Sequence, residues 1–315
     1  MKKNTKRFLL VTSTVIAGMY IYNRVVSNAA TRKNMLSTKN GAYYSWKLGN
    51  VFYTKVGNGK PILLIHDTDT TGSSAEWAKV VKRLQKKHTV YTIDLLGCGL
   101  SDKPKITYTN YMYVQLISSF IKDVVREKTD LAASHISASF ALMVKQMEPD
   151  FVDHLILINP LSLKSLTLAP DCISKWKQTI INLPLVGTFV YNVLMNPAKM
   201  NRRIRSAYFA NEKHISANLQ DTYYQAAHMD ESNGKYLYSS LCGKYLNGDI
   251  RHAVQKMEDG IYLITSSGIK GNRSIIEEYR KYNPKTEVTQ ISDCKLYPQL
   301  EIPEKVCHII DKITL

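Results

Sequence analysis

The sequence predicts an α/β fold with a mostly parallel sheet, and three observations support this prediction. Strand-like and helix-like segments alternate along most of the chain, which is the order that gives a parallel sheet with helices on both faces. The runs "PILLIHD" and "HLILINP" read as strands that are buried on both faces. With 315 residues, 44% of them hydrophobic, the chain can bury a large core.

The elements follow in order from these patterns. A hairpin is predicted over Tyr43–Gly57, turning at Gly49-Asn50, because both residue types favour tight turns. The later predicted strands are 61–67, 89–95, 130–134, 154–160, 260–267 and 286–292. The predicted helices are 75–87, 108–127, 138–147, 273–282 and 303–313. Between Leu161 and Asn247 the pattern is helical without a clear strand, which predicts a helical insertion.

The N-terminus predicts a membrane anchor over residues 1–28, followed by a linker over 29–41. Four basic residues among the first seven precede the uncharged run Phe8–Tyr22. Fifteen helical residues rise only about 22 Å, so a signal peptide cleaved near Ser27–Ala29 is the alternative. We favour a single-pass anchor because Asn23 and Arg24 separate the apolar run from that cleavage site.

The charges around the anchor also predict its orientation. Basic residues before the apolar run favour a cytoplasmic N-terminus, which puts the main domain outside the cell membrane. Because the strand patterns begin only after the linker, we expect deletion of residues 1–28 to release the protein from the membrane without unfolding it.

Composition narrows the partners. The 42 basic and 26 acidic residues give a formal charge of +16, which favours an anionic partner such as a lipid surface. We expect no nucleic-acid partner, because no zinc-finger spacing, RNP-like motif or arginine-rich tract accompanies this charge. The five cysteines form no C-x-x-C pair and no H-E-x-x-H motif occurs, so we expect neither a disulfide framework nor a metal or cofactor.

Three motifs then point to a family. "GNGKPILLIHD", "IDLLGCGLSDKP" and "EPDFVDHLILINP" stand in the order and spacing of the α/β-hydrolase fold superfamily, which this chain resembles. It is also similar to membrane-anchored α/β-hydrolase-like proteins of Gram-positive bacteria. The resemblance implies a core over 42–160 and 248–315 and a helical cap over 161–247.

The resemblance also implies a nucleophile on a tight turn between a strand and a helix, in a G-x-S-x-G pattern. In "LAASHISASFALMV" we predict Ser137 at that position. His135 then replaces the first glycine and Ser139 replaces the second. Because Ser134 and Ser139 flank Ser137, the sequence leaves open, within a few residues, which serine occupies the nucleophile position.

The rest of the implied machinery is incomplete. The oxyanion-loop region would contain His66, Asp67 and Ala138, and Asp67 stands where the family has a glycine, so that its charge opposes a developing oxyanion. The family's catalytic histidine and acid correspond to Leu296 and Ile269. His66 and His135 are alternative bases, although His66 typically orders its loop and His135 points away from the pocket if the strand continues through it.

Two functions are therefore open. One is hydrolysis of a small ester, amide or lipid-like acyl substrate through Ser137 with an unconventional base. The other is a non-catalytic, membrane-anchored binding or scaffold module, a pseudoenzyme that retains the pocket. In both cases membrane lipid contacts the N-terminal helix and a small-molecule ligand binds under the cap. A cluster of five tyrosines in the cap either lines the pocket or packs between helices: Tyr223, Tyr224, Tyr236, Tyr238 and Tyr245. The segment Asn201–Phe209 either contacts anionic lipid or forms a solvated helix face.

Overall fold

The structure is a computed structural model that describes residues 3–37 and 40–315. Eight strands form one sheet in the order β1-β2-β4-β3-β5-β6-β7-β8. The pairs β1–β2 and β2–β4 are antiparallel and all other neighbours are parallel. The strands are β1 Gly41–Trp46, β2 Gly49–Val56, β3 Lys60–Ile65, β4 His88–Ile93, β5 Thr129–Ser134, β6 Val152–Ile158, β7 Tyr262–Ser266 and β8 Glu287–Ile291.

Helices precede the sheet, cover its two faces and fill the insertion between β6 and β7. Those outside the insertion are α1 Lys3–Thr31, α2 Ala78–Leu84, α3 Asn110–Phe120, α4 Ser137–Met147, α11 Arg251–Gln255, α12 Asn272–Tyr282, α13 Pro298–Glu301 and α14 Pro303–Thr314. Those of the insertion are α5 Leu163–Leu166, α6 Cys172–Asn182, α7 Val186–Leu194, α8 Pro197–Arg203, α9 Ala217–Ser232 and α10 Lys235–Cys242. Helix α9 is broken at Met229–Glu231, where the backbone angles are not helical.

The predicted α/β class is confirmed, and the strand ends lie within two residues of the predicted ones after the first hairpin. The predicted hairpin turn is wrong, because Trp46 pairs with Gly49 and the chain turns at Lys47 and Leu48. Gly49 serves a close approach instead. A Cβ at position 49 would lie 2.9 Å from the Asp102 Cβ, which leaves room only for glycine.

Alternation along the strands divides the core between the two faces of the sheet. In β3, Leu63 and Ile65 join a cluster with α3 and α4, whereas Ile62 and Leu64 join a cluster with α2 and α14. Successive side chains of a strand point to opposite faces, so one apolar run supplies both clusters. Packing on both faces holds the sheet in place, so the loops that follow its strands can carry a functional site.

A third cluster joins the insertion to the sheet. Tyr191, Met200 and Tyr223 of the helical block pack with Tyr297 and Leu300, which follow β8. The insertion therefore covers the carboxyl-end loops of the sheet as a cap. Its predicted limits, 161–247, stay a prediction, and all its described elements are helical.

Helix α1 is long and apolar enough to cross a membrane. The span Thr5–Thr31 has a mean hydropathy of 1.3, and its most apolar window is unburied. By length and composition alone a signal sequence passes the same test. Every side chain from Thr5 to Gly18 is exposed.

The last third of α1 packs directly on the cap. Asn23 donates a hydrogen bond to the Leu185 carbonyl at 3.1 Å, and Ser27 donates one to the His228 carbonyl at 3.2 Å. The Tyr22 ring meets the Phe189 ring edge-on. Further contacts are the ion pair Arg24–Glu231 and the hydrogen bond from Asn192 to Asn23.

The predicted linker over 29–41 therefore starts inside a helix. Helix α1 continues to Thr31, and Ala30 and Leu36 are buried. The Met35 N–H donates to the Gln225 side chain in α9. The anchor prediction missed these contacts because their partners stand about two hundred residues later in the sequence.

This packing changes the expected result of the N-terminal deletion. Removal of residues 1–17 keeps every cap contact described above, so we expect a chain that melts like the full protein. Removal of residues 1–28 deletes the bonds of Asn23, Arg24 and Ser27. The bonds of Asn23 and Ser27, at about 1 kcal/mol each, should cost about 2 kcal/mol, and the exposed Arg24 ion pair adds little to this. Thermal unfolding and proteolysis of the cap in detergent compare the two deletions. Equal melting temperatures would show that the contacts between α1 and the cap do not stabilise the folded protein.

Candidate functional site

A cavity of about 390 Å³ lies at the carboxyl end of the sheet. The loops after β5, β6, β7 and β8 form one side, and α5 and α12 form the other. In α/β sheets this end of the strands is where ligands bind. The wall includes His135, Asn159, Leu161, Ser165, Ile269, Lys270, Ile275, Glu278 and Leu296.

The turn from β5 to α4 brings His135 to this cavity. The strand ends at Ser134 and the helix begins at Ser137, so His135 and Ile136 form the turn. His135 has a φ of +49°, a strained value for a non-glycine residue. The condition under which we expect His135 to point away from the pocket is not met, because β5 ends at Ser134, and His135 lines the cavity.

Ser137 is buried in the first turn of α4 and does not line this cavity. Its hydroxyl donates to the His66 carbonyl at 2.7 Å, and the Thr68 hydroxyl lies 2.6 Å from the same Oγ. Because Ser137 uses its proton on the carbonyl, Thr68 is the donor to Ser137. These bonds hold the loop after β3 against the start of α4.

Asp67 accepts bonds from three directions beside the turn. Its carboxylate receives the Tyr297 hydroxyl at 2.8 Å and the Ile136 N–H at 3.3 Å, and it lies 3.2 Å from His135 Nδ1. Burial opposes charge on Asp67, but His135 and these donors lower its pKa. Burial likewise opposes charge on His135, and the Asp67 carboxylate outweighs it and raises the pKa of the imidazole. The pair therefore favours imidazolium and carboxylate.

Glu76 is hydrogen-bonded to the loop that carries Asp67. It is buried and accepts the Asp67 N–H at 3.1 Å, the Gln299 side-chain amide at 2.7 Å and the Ser134 hydroxyl. Burial, reinforced by the nearby charge of Asp67, raises the pKa of Glu76 to about 8. Near neutral pH this acid is mostly protonated.

The two other predicted oxyanion-loop residues are fully engaged. His66 accepts the Leu95 N–H at Nε2 and bonds the Asp67 carbonyl through Nδ1. Burial lowers the pKa of His66 despite the charge of Asp94, so the ring is neutral and has no free nitrogen to serve as a base. The Ala138 N–H donates to the His135 carbonyl at 3.3 Å, within the turn.

Leu296 and Ile269 lie where the resemblance implied a catalytic histidine and acid, and both line the cavity with His135. Sequence analysis missed Asn159, which fixes this arrangement. Its amide donates to the Leu296 carbonyl at 2.8 Å and to Ser266 Oγ at 2.9 Å. The polar residue directly after the buried "HLILI" run was the one signal that could have drawn attention to it.

The cap is bonded to the loop after β3. Arg203 of α8 forms an ion pair with Asp69 at 2.8 Å, and its guanidinium lies over the Tyr208 ring. Tyr208 in turn meets Tyr297 edge-on. In the segment Asn201–Phe209, Arg203 is therefore engaged inward, which sequence analysis did not foresee.

The predicted tyrosine cluster of the cap is divided between packing and pocket. Tyr223 is buried and packs against Tyr208, whereas Tyr238 lines a second cavity of about 190 Å³ with Arg203 and Tyr208. Tyr224 stacks obliquely on His228. Packing accounts for more of these rings than the pocket does.

One group of the described residues has the spacing of metal ligands. Asp130, Asp153 and His154 lie together near the amino ends of the strands. The Lys60 ammonium lies 3.0 Å from Asp130 and 2.7 Å from Asp153, so a cation already neutralises the group. It is an ion-pair network far along the strands from the cavity.

The comparisons agree with this architecture. The family model described as the α/β hydrolase fold matches residues 60–236, more than half of the chain. This chain belongs to the α/β-hydrolase fold family. The predicted superfamily is thus confirmed.

Two curated relatives are similar in sequence to only part of this chain. A 2-hydroxy-6-oxo-6-(2'-aminophenyl)hexa-2,4-dienoic acid hydrolase of Metapseudomonas resinovorans is 28% identical over 108 residues, 34% of this chain and 37% of that protein. A haloalkane dehalogenase of Agrobacterium fabrum is 26% identical over 121 residues, 38% of this chain and 39% of that protein. The match spans under half the length of either relative.

Solved structures extend the likeness over the whole fold. A serine hydrolase involved in carbazole degradation superposes with a TM-score of 0.69 and 18% identity, covering 86% of this chain and 97% of that one. A membrane phospholipase A, described as a bacterial virulence factor, gives 0.68 and 17%, covering 99% and 97%. At these identities the likeness concerns the fold.

Glu76 should make stability depend on pH. An acid whose folded pKa is about 8 takes up a proton on folding. Its contribution to stability is therefore complete below its unfolded pKa of about 4.5 and is lost as pH rises from about 4.5 to 8. The slope for one such group is about 1.4 kcal/mol per pH unit. Glu76→Gln removes this slope, and the cost of the substitution should therefore shrink as pH rises from 5 to 8.

Urea unfolding of the full chain in detergent at several pH values measures the effect. Glu258→Gln, at an exposed position, is the matched control and should keep the wild-type slope. Identical slopes for wild type and Glu76→Gln would mean that Glu76 is ionised in the folded protein.

Proposed function

We propose that this protein is a membrane-anchored member of the α/β-hydrolase family whose pocket binds a small ligand and carries out no acyl transfer. The observation that carries the proposal is the place of Asp67. Its carboxylate accepts the N–H of Ile136, a donor that an oxyanion at this turn would need. An anion there would meet a negative charge and an occupied donor.

The register of the turn supports the proposal. In this family the nucleophile stands on the strained residue between strand and helix, and here that residue is His135. On this register the three triad positions are His135, Leu296 and Ile269, all on one cavity wall. They contain an imidazole but no hydroxyl, no second base and no acid.

Hydrolysis of a small ester, amide or lipid-like acyl substrate through Ser137 meets two obstacles. The Ser137 proton is bonded to the His66 carbonyl, which cannot take it up. His66 has both ring nitrogens engaged, and His135 faces Asp67. The Ser137 hydroxyl therefore acts as a structural group between two loops.

The cavity indicates what kind of ligand it holds. Leu161, Ile269, Ile275 and Leu296 form an apolar wall, and His135 presents a partly exposed imidazolium beside them. A small molecule with an apolar body and one polar group that accepts a hydrogen bond from the imidazolium matches this arrangement. The ligand would sit under the cap, against the loops that Asn159 and Asp67 hold in place.

A second candidate function rests on the His135–Asp67 pair. An imidazole oriented by a carboxylate at a cavity wall can deprotonate a water molecule, so hydrolysis without a covalent intermediate is the alternative. The raised pKa of His135 determines how the rate of this hydrolysis would depend on pH. The neutral, basic form of the ring accumulates only as pH rises through that pKa, so such a rate would increase with pH and vanish in His135→Ala.

Helix α1 supports the membrane part of the proposal. Its exposed stretch Thr5–Gly18 has no partner among the described residues, and lipid is the solvent that suits it. The superposition on a membrane phospholipase A covers 99% of this chain and so includes most of α1. We place the helix as a single-pass anchor in the cell membrane with the main domain on the extracytoplasmic side, following its basic N-terminal flank.

A fluorophosphonate probe tests the absence of an activated serine. General-base assistance contributes about 10²–10⁴ in rate and an oxyanion donor about 10²–10³, so we expect wild-type labelling close to that of Ser137→Ala. The same variant should lose about 1–2 kcal/mol of stability, since Ser137 bonds two loops. Rapid stoichiometric labelling that disappears in Ser137→Ala would overturn the proposal.

Restoring triad residues tests the register. Leu296→His alone should yield no efficient esterase, because the new imidazole lacks an acid and faces Asp67. Adding Ile269→Asp and Asp67→Gly should still give little activity while His135 remains. Adding His135→Ser should then raise the esterase rate, on the order of 10²-fold over the same protein without it. Comparable activity from the variant that retains His135, lost on Ser137→Ala, would restore Ser137 as the nucleophile.

A further inference from the structure

We propose that cap helices α6 and α7 form a second membrane contact, which lies in the headgroup region of the leaflet that α1 leaves and binds anionic phospholipid. The proposal rests on the proposed anchor and adds a surface to it. Its elements are an exposed apolar face, a fixed position beside α1 and a surplus of positive charge.

The apolar face is contiguous along α6 and into α7. Ile173, Trp176 and Ile180 stand three and four residues apart, which puts them on one side of α6, and they are 69%, 69% and 44% exposed. Leu183 and Val186 continue the face between the two helices, with 44% and 41% exposed. Soluble surfaces rarely leave large apolar side chains together in this way.

The position of this face follows from the packing of α1. Helix α7 lies between α6 and α1, and contacts both. Asn23 of α1 bonds the carbonyl of Leu185, the residue next to Val186. The apolar face of α6 and α7 therefore begins beside the point where α1 leaves the cap.

The length of α1 sets the distance to the bilayer. The fifteen uncharged residues Phe8–Tyr22 rise about 22 Å, whereas a hydrocarbon core is about 30 Å thick. Asn23 and Arg24 are bonded to the cap within the same unbroken helix. No spare chain separates the cap from the membrane, so the cap must lie on the bilayer surface.

The charge of this region suits an anionic bilayer. Apart from Arg203 and Arg205, which pair with Asp69 and Glu212, the segment between Leu161 and Ala210 carries five Lys or Arg residues and one acidic residue, Asp171. Lys175 and Lys177 flank Trp176 and are exposed. A helix with an apolar face, a tryptophan and flanking lysines is the type that lies in a lipid interface.

Tryptophan fluorescence of the full chain tests this surface. The chain has three tryptophans, and Trp46 and Trp77 are buried, so Trp176 supplies the exposed signal, with Trp176→Phe as the blank. The protein is reconstituted into vesicles of phosphatidylcholine and phosphatidylglycerol, with or without lipid brominated near the headgroup. We expect brominated lipid to lower the Trp176 signal roughly twofold and aqueous acrylamide to have little access to it.

Charge reversal supplies the matched controls. Lys175→Glu with Lys177→Glu should abolish the quenching by brominated lipid, because it repels phosphatidylglycerol. Arg280→Glu with Lys281→Glu makes the same change of charge at exposed positions of α12 in the core and should leave the quenching intact.

The other outcomes separate the two proposals. Protein that floats with vesicles while Trp176 stays open to acrylamide would overturn the second contact and leave the anchor in place. Protein that does not float at all would overturn both. Trp176 shielded from both quenchers, to a degree that grows with protein concentration, would assign the face to a second copy of the chain and overturn the lipid proposal.

Discussion

The buried charge of Asp67 organises the site. Its pKa is lowered because His135, Tyr297 and Ile136 all stabilise the carboxylate against burial, and the same charge raises the pKa of His135. The pKa of Glu76 is raised first by burial and then by the charge of Asp67. One carboxylate thus contributes to the protonation state of both neighbours. In a family where this loop usually stabilises an anion, such a charge changes what the pocket can attract.

The same loop also carries the cap. Asp69 pairs with Arg203, and Tyr297, which bonds Asp67, meets Tyr208 of the cap edge-on. A change of charge at Asp67 would therefore act on Tyr297, which contacts the cap. Pocket and cap therefore form one bonded unit, although they stand far apart in the sequence.

The sequence predicts the fold well because apolar periodicity is local, so runs such as "PILLIHD" show where the buried strands lie. It does not determine the register of the turn, since serines at 134, 137 and 139 all stand near the expected turn, no glycine marks it, and only the end of β5 decides. The Glu76 bonds reach 58 residues to Ser134 and 223 to Gln299. No local pattern reports such contacts, and this is why Glu76 and Tyr297 were missed.

The docking of α1 on the cap also orders events during synthesis. Ser27 and its partner His228 are 201 residues apart. At a translation rate of about 5–20 residues per second, α1 waits roughly 10–40 s before α9 exists. Throughout that interval the Ser27 hydroxyl lacks its partner in α9. In the proposed membrane anchor, α1 is thus free to settle in depth and rotation before α9 is made, and the cap then fixes the placement that brings Ser27 to His228.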